Sequence, residues 1–488
     1  VTLREITSTL ERPVISGSLD TEITALAYDS RKVAPGTAFV AMRGTAADGH
    51  QFIGAAIQAG ASAIIAETAP PADITIPWVH VPASRVALAR MAAVLHGHPA
   101  KGLLRAAVTG TNGKSTTAFL MHHLLNAAQV RCGLIGTMFY DLGGEQQPAT
   151  HTTPESLETQ HLLAAMRDNG CRAVAMETSS HALHQDRAHG LDFDAAVFTN
   201  LTQDHLDYHG TMEEYFRAKC LLFDAVAAGR GRMIVNADDS WGRKIITQHE
   251  ATGRVTKYGF GVGCDFRANN VRFDHTGTSF ELEARGRSFL ARTPLIGDFN
   301  VYNTLAALAA AHALDLNLRE AIGHMKSAPQ VPGRLERVSE GTRAHVFVDY
   351  AHTPDGIISA LRTVRGLKPR RIITVFGCGG DRDRTKRPKM ARAAEEGSDL
   401  CVLTSDNPRS EDPLAIMADA GKGFVRGGHL EIPDRKEAIR AALESAYEGD
   451  IVLIAGKGHE TYQEVKGVRS PFDDRKIARQ IIAELKSM

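Results

Sequence analysis

"LLRAAVTGTNGKSTTAFLMHHLLNAA", Leu103 to Ala128, decides how this chain folds. An apolar run ends in "GTNGKST", Gly110 to Thr116, and a segment follows in which Leu120, Leu124 and Ala127 share one helical face. Strand, Gly-rich turn and helix, in that order, make a phosphate-binding loop. The glycines let backbone N–H groups turn toward a phosphate. The helix N-terminus adds partial positive charge. Lys114 is placed to reach the outer phosphates of ATP, and the Ser115 hydroxyl to help hold Mg²⁺. The usual pattern, G-x-x-x-x-G-K-[ST], has its first Gly where Val108 stands. A plain Gly-rich turn with a surface lysine is the alternative, and the flanking strand and helix argue against it.

Outward from this loop, apolar runs recur at "RAVAMET", "AAVFTNL" and "GRMIVNADD", with the helical pattern "NTLAALAAAHAL" later. Alternating strands and helices predict an α/β fold, a parallel or mixed sheet covered on both faces. A metal beside ATP needs oxygen ligands. Glu177 ends one apolar run, and Asp204 and His205 follow the next. Glu177 reads equally as a ligand or as a cap or solvated strand end. His205 and His209 are spaced i, i+4, but Leu206 stands where a zincin carries Glu and Gly210 interrupts the segment, so zinc is discounted. Lys219, in "YFRAKCLLF", reads from composition as a solvated or ion-paired lysine.

Beyond a linker-like "APQVPGRLERV" come "HVFVDYAHTPDG", "RIITVFGCGGDRD", "LCVLTSDNPRS" and "DIVLIAGKGHE". Each is an apolar run ending in a polar loop. Ligands of open α/β sheets bind at such strand ends. In "TSDNPRSEDP", Thr404 to Pro413, an Asn-Pro turn sets a carboxylate near a guanidinium. That pairing suits a ligand with a cationic and an anionic end.

The 488 residues exceed one core, and we divide them into a small α/β N-terminal domain (1–101), a central P-loop-type domain (102–330) and a Rossmann-like C-terminal domain (331–488). The formal net charge of +0 offers no electrostatic argument for nucleic acid or an anionic membrane. No stretch has the apolar length of a membrane span, and "VTLREITSTLERP" lacks a signal-peptide pattern. Six scattered cysteines without a CxxC pair fit reduced thiols, so a cytoplasmic protein, taken as a monomer, is expected.

Taken in order, "GTNGKST", "METSSHAL", "FTNLTQDHLDYHG", "RAKCLLF", "GDFNVYN", "PGRLE", "DYAHTPDG", "FGCGGDRDRTKRP", "DNPR" and "GKGHE" resemble the Mur ligases, ATP-dependent amide-forming enzymes of peptidoglycan synthesis. The resemblance covers nearly the whole chain. It is nearest to members that add meso-diaminopimelate to UDP-N-acetylmuramoyl-L-alanyl-D-glutamate. It implies a UDP-binding N-terminal domain, a central ATPase and a C-terminal amino-acid-binding domain. Gly110, Thr111, Asn112, Gly113, Lys114, Ser115 and Thr116 would bind the triphosphate, and Asn300, Arg334 and Asp349 the adenosine part and phosphates. Ser115, Glu177 and His205 would surround Mg²⁺, with Lys219 joining them as a carbamate. Lys114, Lys219 and His205 are the implied catalytic groups. Tyr28, Ser30, Thr45, Ala46 and Ala47 would meet the uridine, and Thr152, Thr153, Ser179, Gln185 and Arg187 the muramoyl dipeptide. The family usually has Asn where His151 stands and often Thr where Ser115 stands.

The added amino acid separates close relatives. Diaminopimelate has a distal zwitterionic head that lysine lacks, and a guanidinium pairs with its carboxylate bidentately. Arg409 is the candidate, with Asp406, Asn407 and Pro408 beside it and Arg382, Gly456 and Glu460 completing the pocket. A lysine-adding Mur ligase, a folylpolyglutamate synthetase, a P-loop switch or motor, and a non-catalytic nucleotide-binding module are the alternatives. "DNPR" argues against the first and the "YDSR" block against the second. A switch or motor needs no amino-acid acceptor, so acceptor-dependent ATPase activity would separate it, and a non-catalytic module makes poor use of the charged strand ends in the third block.

Overall fold

The computed structural model describes residues 1–44, 47–339 and 344–487. Thr45 and Ala46 lie outside the described residues. The chain has a three-domain α/β fold, and its contacts form two compact units. One unit comprises Val1–Arg267 with Leu305–Ala321, and the other Ala268–Thr304 with Ile322–Met488.

The first unit contains two sheets. In the N-terminal sheet, Val14–Ser16 runs antiparallel to Trp78–His80, and Ala63–Ala66, Thr37–Val40 and Ala25–Ala27 follow in parallel. Thr37–Val40 and Ala63–Ala66 are buried at every position, which is why their apolar residues do not alternate with polar ones.

In the central sheet, Leu104–Thr109 lies between Ala173–Glu177 and Ala195–Phe198, parallel to both. Cys132–Ile135 extends the parallel set on one side, and Arg232–Asn236 and Val255–Gly259 extend it on the other. The chain therefore leaves Leu104–Thr109 where the strand order reverses, the place where α/β sheets open a ligand crevice. The register sets Glu177 opposite Val108 and Phe198 opposite Thr109, so three strand ends finish level with the Gly-rich turn. The helix Lys114–Ala127 covers the sheet, with Leu120 and Leu124 fully buried. Burying each contributes about 1.5–3 kcal/mol of transfer energy.

In the second unit, Gly277–Ala284 and Arg287–Thr293 pair antiparallel. Its larger sheet has the order Glu336–Arg337, His345–Asp349, Ile451–Ala455, Ile372–Cys378, Leu400–Ser405, Leu430–Glu431. All neighbours are parallel except the first pair. Part of the segment read as a linker is thus an edge strand, because Glu336 and Arg337 pair with Val348 and Phe347. A hairpin, Tyr462–Val465 with Val468–Pro471, follows the last parallel strand.

Candidate active site

The Gly-rich turn is stitched to the loop after Ala195–Phe198. The Thr111 N–H donates to the Asn200 carbonyl at 2.8 Å, and the Asn112 N–H to Asn200 Oδ1 at 3.0 Å. The Thr199 hydroxyl donates to the Asn112 carbonyl at 2.6 Å. Gly113 caps the helix at φ 85°, a left-handed conformation that favours glycine. A Cβ on Gly110 would collide with the Thr199 hydroxyl, so the close approach also requires glycine. Thr199 and Asn200 escaped the sequence reading, since their partnership with the turn arises only from the parallel register.

Lys114 starts the helix, and its ammonium donates to the Gly110 and Thr111 carbonyls at 2.9 and 2.8 Å. Lys219, on the helix Met212–Ala228, donates to the same Gly110 carbonyl at 3.0 Å. The Lys219 side chain is buried at 1% exposure, which corrects its reading as a solvated lysine. Burial, reinforced by the nearby Lys114 charge and partly opposed by Asp204, pushes its pKa well below the ordinary value. Its ammonium also lies 4.6 Å from the Tyr215 ring centre.

Glu177 is 1% exposed, which rules out a solvated strand end. Its Oε2 accepts from the Ser115 hydroxyl at 2.9 Å and the Thr137 hydroxyl at 3.0 Å, and Oε1 from the Thr137 N–H at 2.8 Å. A buried carboxylate surrounded by hydroxyls is an oxygen-only donor set, and it fits Mg²⁺ with several waters retained. Among the described residues no group of three His, Cys, Asp or Glu side chains is arranged to hold a metal. His205 has φ 53° and heads the short helix Leu206–His209, with Nε2 3.4 Å from Asp204 Oδ2. Its ring joins His181 (4.8 Å) and Tyr215 (6.1 Å), and the His209 ring is 5.4 Å from His181. Burial first, then neighbouring positive charge, holds both His181 and His209 down to about 4, so both are neutral at pH 7. This ring cluster was not apparent from the sequence.

On the same side of the first unit, Thr152 Oγ1 lies 3.0 Å from Thr137 Oγ1. The Thr153 hydroxyl donates to the Glu177 carbonyl at 2.8 Å and accepts from the Ser179 N–H at 3.0 Å. Ser179 caps the helix Ser180–His184. Arg187 donates to Gln185 Oε1 at 2.6 Å and to the Thr153 carbonyl at 3.1 Å, and it pairs with Glu155 at 3.0 Å. Thus Thr152, Thr153, Ser179, Gln185 and Arg187 form one connected group beside Glu177. The Tyr28 hydroxyl donates to Glu158 Oε1 at 2.7 Å, linking the N-terminal sheet to the helix Ser156–Asp168. Ser30 begins a short turn capped by Asp29. Ala47 is exposed.

In the second unit, Asn300 is 2% exposed, and its amide donates to the Ile296 carbonyl at 2.9 Å and accepts from Asn303 at 3.0 Å. Asp349 accepts from the Leu335 and Ala351 N–H groups at 2.7 and 2.8 Å. The Arg334 guanidinium lies 4.6 Å from the Tyr350 ring centre.

The "DNPR" turn and the "GKGHE" turn sit together. Asp406 is 9% exposed, and a Cβ on Gly456 would lie 2.6 Å from its Oδ2. Pro408 is buried in the turn, and Arg409 has φ 53°. The Arg409 backbone joins the hairpin, its N–H donating to the Glu464 carbonyl at 3.0 Å. The Arg409 guanidinium donates to the Gly380 carbonyl at 2.7 Å, while Arg382 is exposed.

Arg435 joins the strands beneath both turns. It donates to the carbonyls of Ser405 and Ala455, the residues before Asp406 and Gly456, at 3.2 and 3.0 Å. It pairs bidentately with Asp474 at 2.8 and 2.7 Å, and both side chains are 0% exposed. Breaking such a pair leaves an uncompensated buried charge, whereas removing both partners avoids it. Arg435→Met is therefore expected to destabilise by about 3–5 kcal/mol, and adding Asp474→Leu to recover most of it. Chemical denaturation checks this, and a double variant no more stable than the single would refute it.

Sequence models of the Mur ligase family catalytic domain, middle domain and glutamate ligase domain match residues 22–98, 108–311 and 333–458. A UDP-N-acetylmuramoyl-L-alanyl-D-glutamate–2,6-diaminopimelate ligase of Solibacter usitatus is 47% identical over 476 residues, 97% of this chain and 96% of that protein. One of Geobacillus thermodenitrificans is 46% identical over 95% of each. A solved structure of a ligase of that name superposes with TM-score 0.72 at 35% identity, covering 100% of this chain and 99% of that one. Mycobacterium tuberculosis folylpolyglutamate synthase shares the fold at TM-score 0.62 and 19% identity, covering 76% of this chain and 92% of its own. With near-full-length relatives at this identity, the chain belongs to the Mur ligase family.

Proposed function

We propose that the chain is an ATP-dependent ligase that joins meso-diaminopimelate to the D-Glu γ-carboxylate of UDP-N-acetylmuramoyl-L-alanyl-D-glutamate, in cytoplasmic peptidoglycan precursor synthesis. The observation that carries this reading is near-full-length identity to relatives so named. The phosphate loop beside a buried carboxylate supports it. In this reading segment 1–101 serves the UDP moiety, 102–330 ATP, and 331–488 the amino acid.

A carboxylate is a poor electrophile because expelling oxide is prohibitive. A γ-carboxylate oxygen attacks the γ-phosphorus of ATP, and ADP leaves. The amine then attacks the acyl carbon of the acyl phosphate, loses a proton, and expels phosphate. Lys114 leaves its carbonyl partners to meet charge on the moving phosphoryl group, and the backbone N–H groups of Gly113 and Lys114, where the helix begins, cradle the phosphates. Ser115 and Glu177 would hold Mg²⁺, which supplies charge neutralisation at the phosphates. Arg187, Thr152 and Ser179 would orient the dipeptide.

Acceptor-dependent phosphate release, with the UDP-muramoyl dipeptide and either diaminopimelate or lysine, tests the reading. Release with diaminopimelate and little with lysine is expected; equal rates, or release without any acceptor, would overturn it. In the same assay Arg409→Ala should raise KM for diaminopimelate by about 10–100-fold, the range for losing a hydrogen bond to a charged group. Unchanged kinetics would remove Arg409 from the pocket.

A further inference from the structure

The "GKGHE" turn holds a cation that is not among the pocket residues named above. Lys457, in "GKGHE", has a side chain 0% exposed. Its ammonium donates to Asn407 Oδ1 at 3.0 Å and to Glu460 Oε2 at 3.1 Å. Asn407 Nδ2 donates to the same Glu460 Oε2 at 2.8 Å, closing a triangle. Asn407 Oδ1 also accepts from the Glu464 N–H, at 3.0 Å. An ammonium and a backbone N–H can only donate, so Lys457 and Glu464 together fix which way the Asn407 amide faces, with oxygen toward the lysine and nitrogen toward Glu460. Both donors meet Glu460 at Oε2. The carboxylate is thereby pinned through one oxygen, and Oε1 is the oxygen the triangle leaves for a ligand.

We infer that Lys457 is a positioning residue for acceptor binding: it orients Glu460 and Asn407 to receive the distal ammonium of the incoming amino acid. The inference rests on the function proposed above, which puts those two residues in the diaminopimelate pocket. Lys457 does not touch the substrate in this account. It acts through Glu460, and its removal should affect one substrate of three.

Lys457→Met keeps the apolar stem and removes the donor. KM for diaminopimelate should rise about tenfold, while preference over lysine, which keeps the terminal ammonium and lacks only the carboxylate, should change by less than about twofold. KM for ATP and for the UDP-muramoyl dipeptide should stay within about twofold. In a Glu460→Gln background the same change should alter KM for diaminopimelate by less than about twofold, because the residue it acts through is already disabled. Equal shifts in all three KM values, no shift in any, or full additivity with Glu460→Gln would overturn the assignment. If the Met variant does not fold, Lys457→Leu, which also removes the donor, carries the same comparison. A wild-type chain that transfers no diaminopimelate would sink the proposed function as well; a competent wild type beside an indifferent variant would sink this inference alone.

Discussion

Lys114→Met should abolish ligation, lowering kcat/KM by about 10³ or more while thermal stability changes little. The ammonium sits at the first turn of the helix Lys114–Ala127, bonded to the Gly110 and Thr111 carbonyls. Both bonds stay within the loop, and methionine keeps the stem, so the fold loses little. Phosphoryl transfer loses more. Its transition state spreads negative charge over oxygens that the protein must meet with fixed positive groups, and positioning with electrostatics supplies most of the catalysis. A thousandfold loss corresponds to about 4 kcal/mol of transition-state stabilisation. Steady-state kinetics with all three substrates check this. Activity above a tenth of wild type would show that the loop backbone and the metal meet that charge without Lys114.

That loop could be read from sequence because its signal is local: an apolar run, glycines where the backbone turns, and a helical face, all within Leu103–Ala128. The parallel sheet could be read for a similar reason, since strands buried on both faces have few polar interruptions. Glu177 was ambiguous, because its burial depends on Ser115 and Thr137, which reach it from two other segments. Arg435 carried no signal at all. Its partner Asp474 lies 39 positions away, and the carbonyls it joins belong to two strands that the sheet separates by a third. The histidine cluster was split the same way, His181 following one strand and His205 another. Local chemistry is written in short stretches; burial and convergence are written in the register of the sheet.

Lys219 is where that distinction has its largest consequence. Composition makes it a surface cation, yet the fold buries it beside Lys114, on the same carbonyl oxygen. Two ammonium groups on one acceptor, one without solvent, favour the neutral amine for Lys219. A neutral amine is what carbon dioxide requires: its lone pair attacks the carbon, a proton leaves, and the product is an anionic carbamate. Such a group beside Lys114 would replace repulsion with attraction and would supply an oxygen ligand for Mg²⁺. Lys219→Met should therefore cost about 10³ in kcat, a loss in the range seen when a preorganised charged group is removed. ¹³C-bicarbonate should give a carbamate resonance in the wild type that the variant lacks. Stability should move the other way in carbon dioxide-free buffer. The depressed pKa means that, between the folded value and the unfolded value of about 10.4, the unfolded chain binds the extra proton, so wild-type stability rises with pH across that window. The Met variant has no such proton. Its melting temperature should exceed that of wild type at pH 7, with the margin narrowing as pH approaches about 10. A variant that keeps most of its kcat would remove Lys219 from the mechanism, and one that melts lower than wild type at pH 7 would show that its burial is not unfavourable.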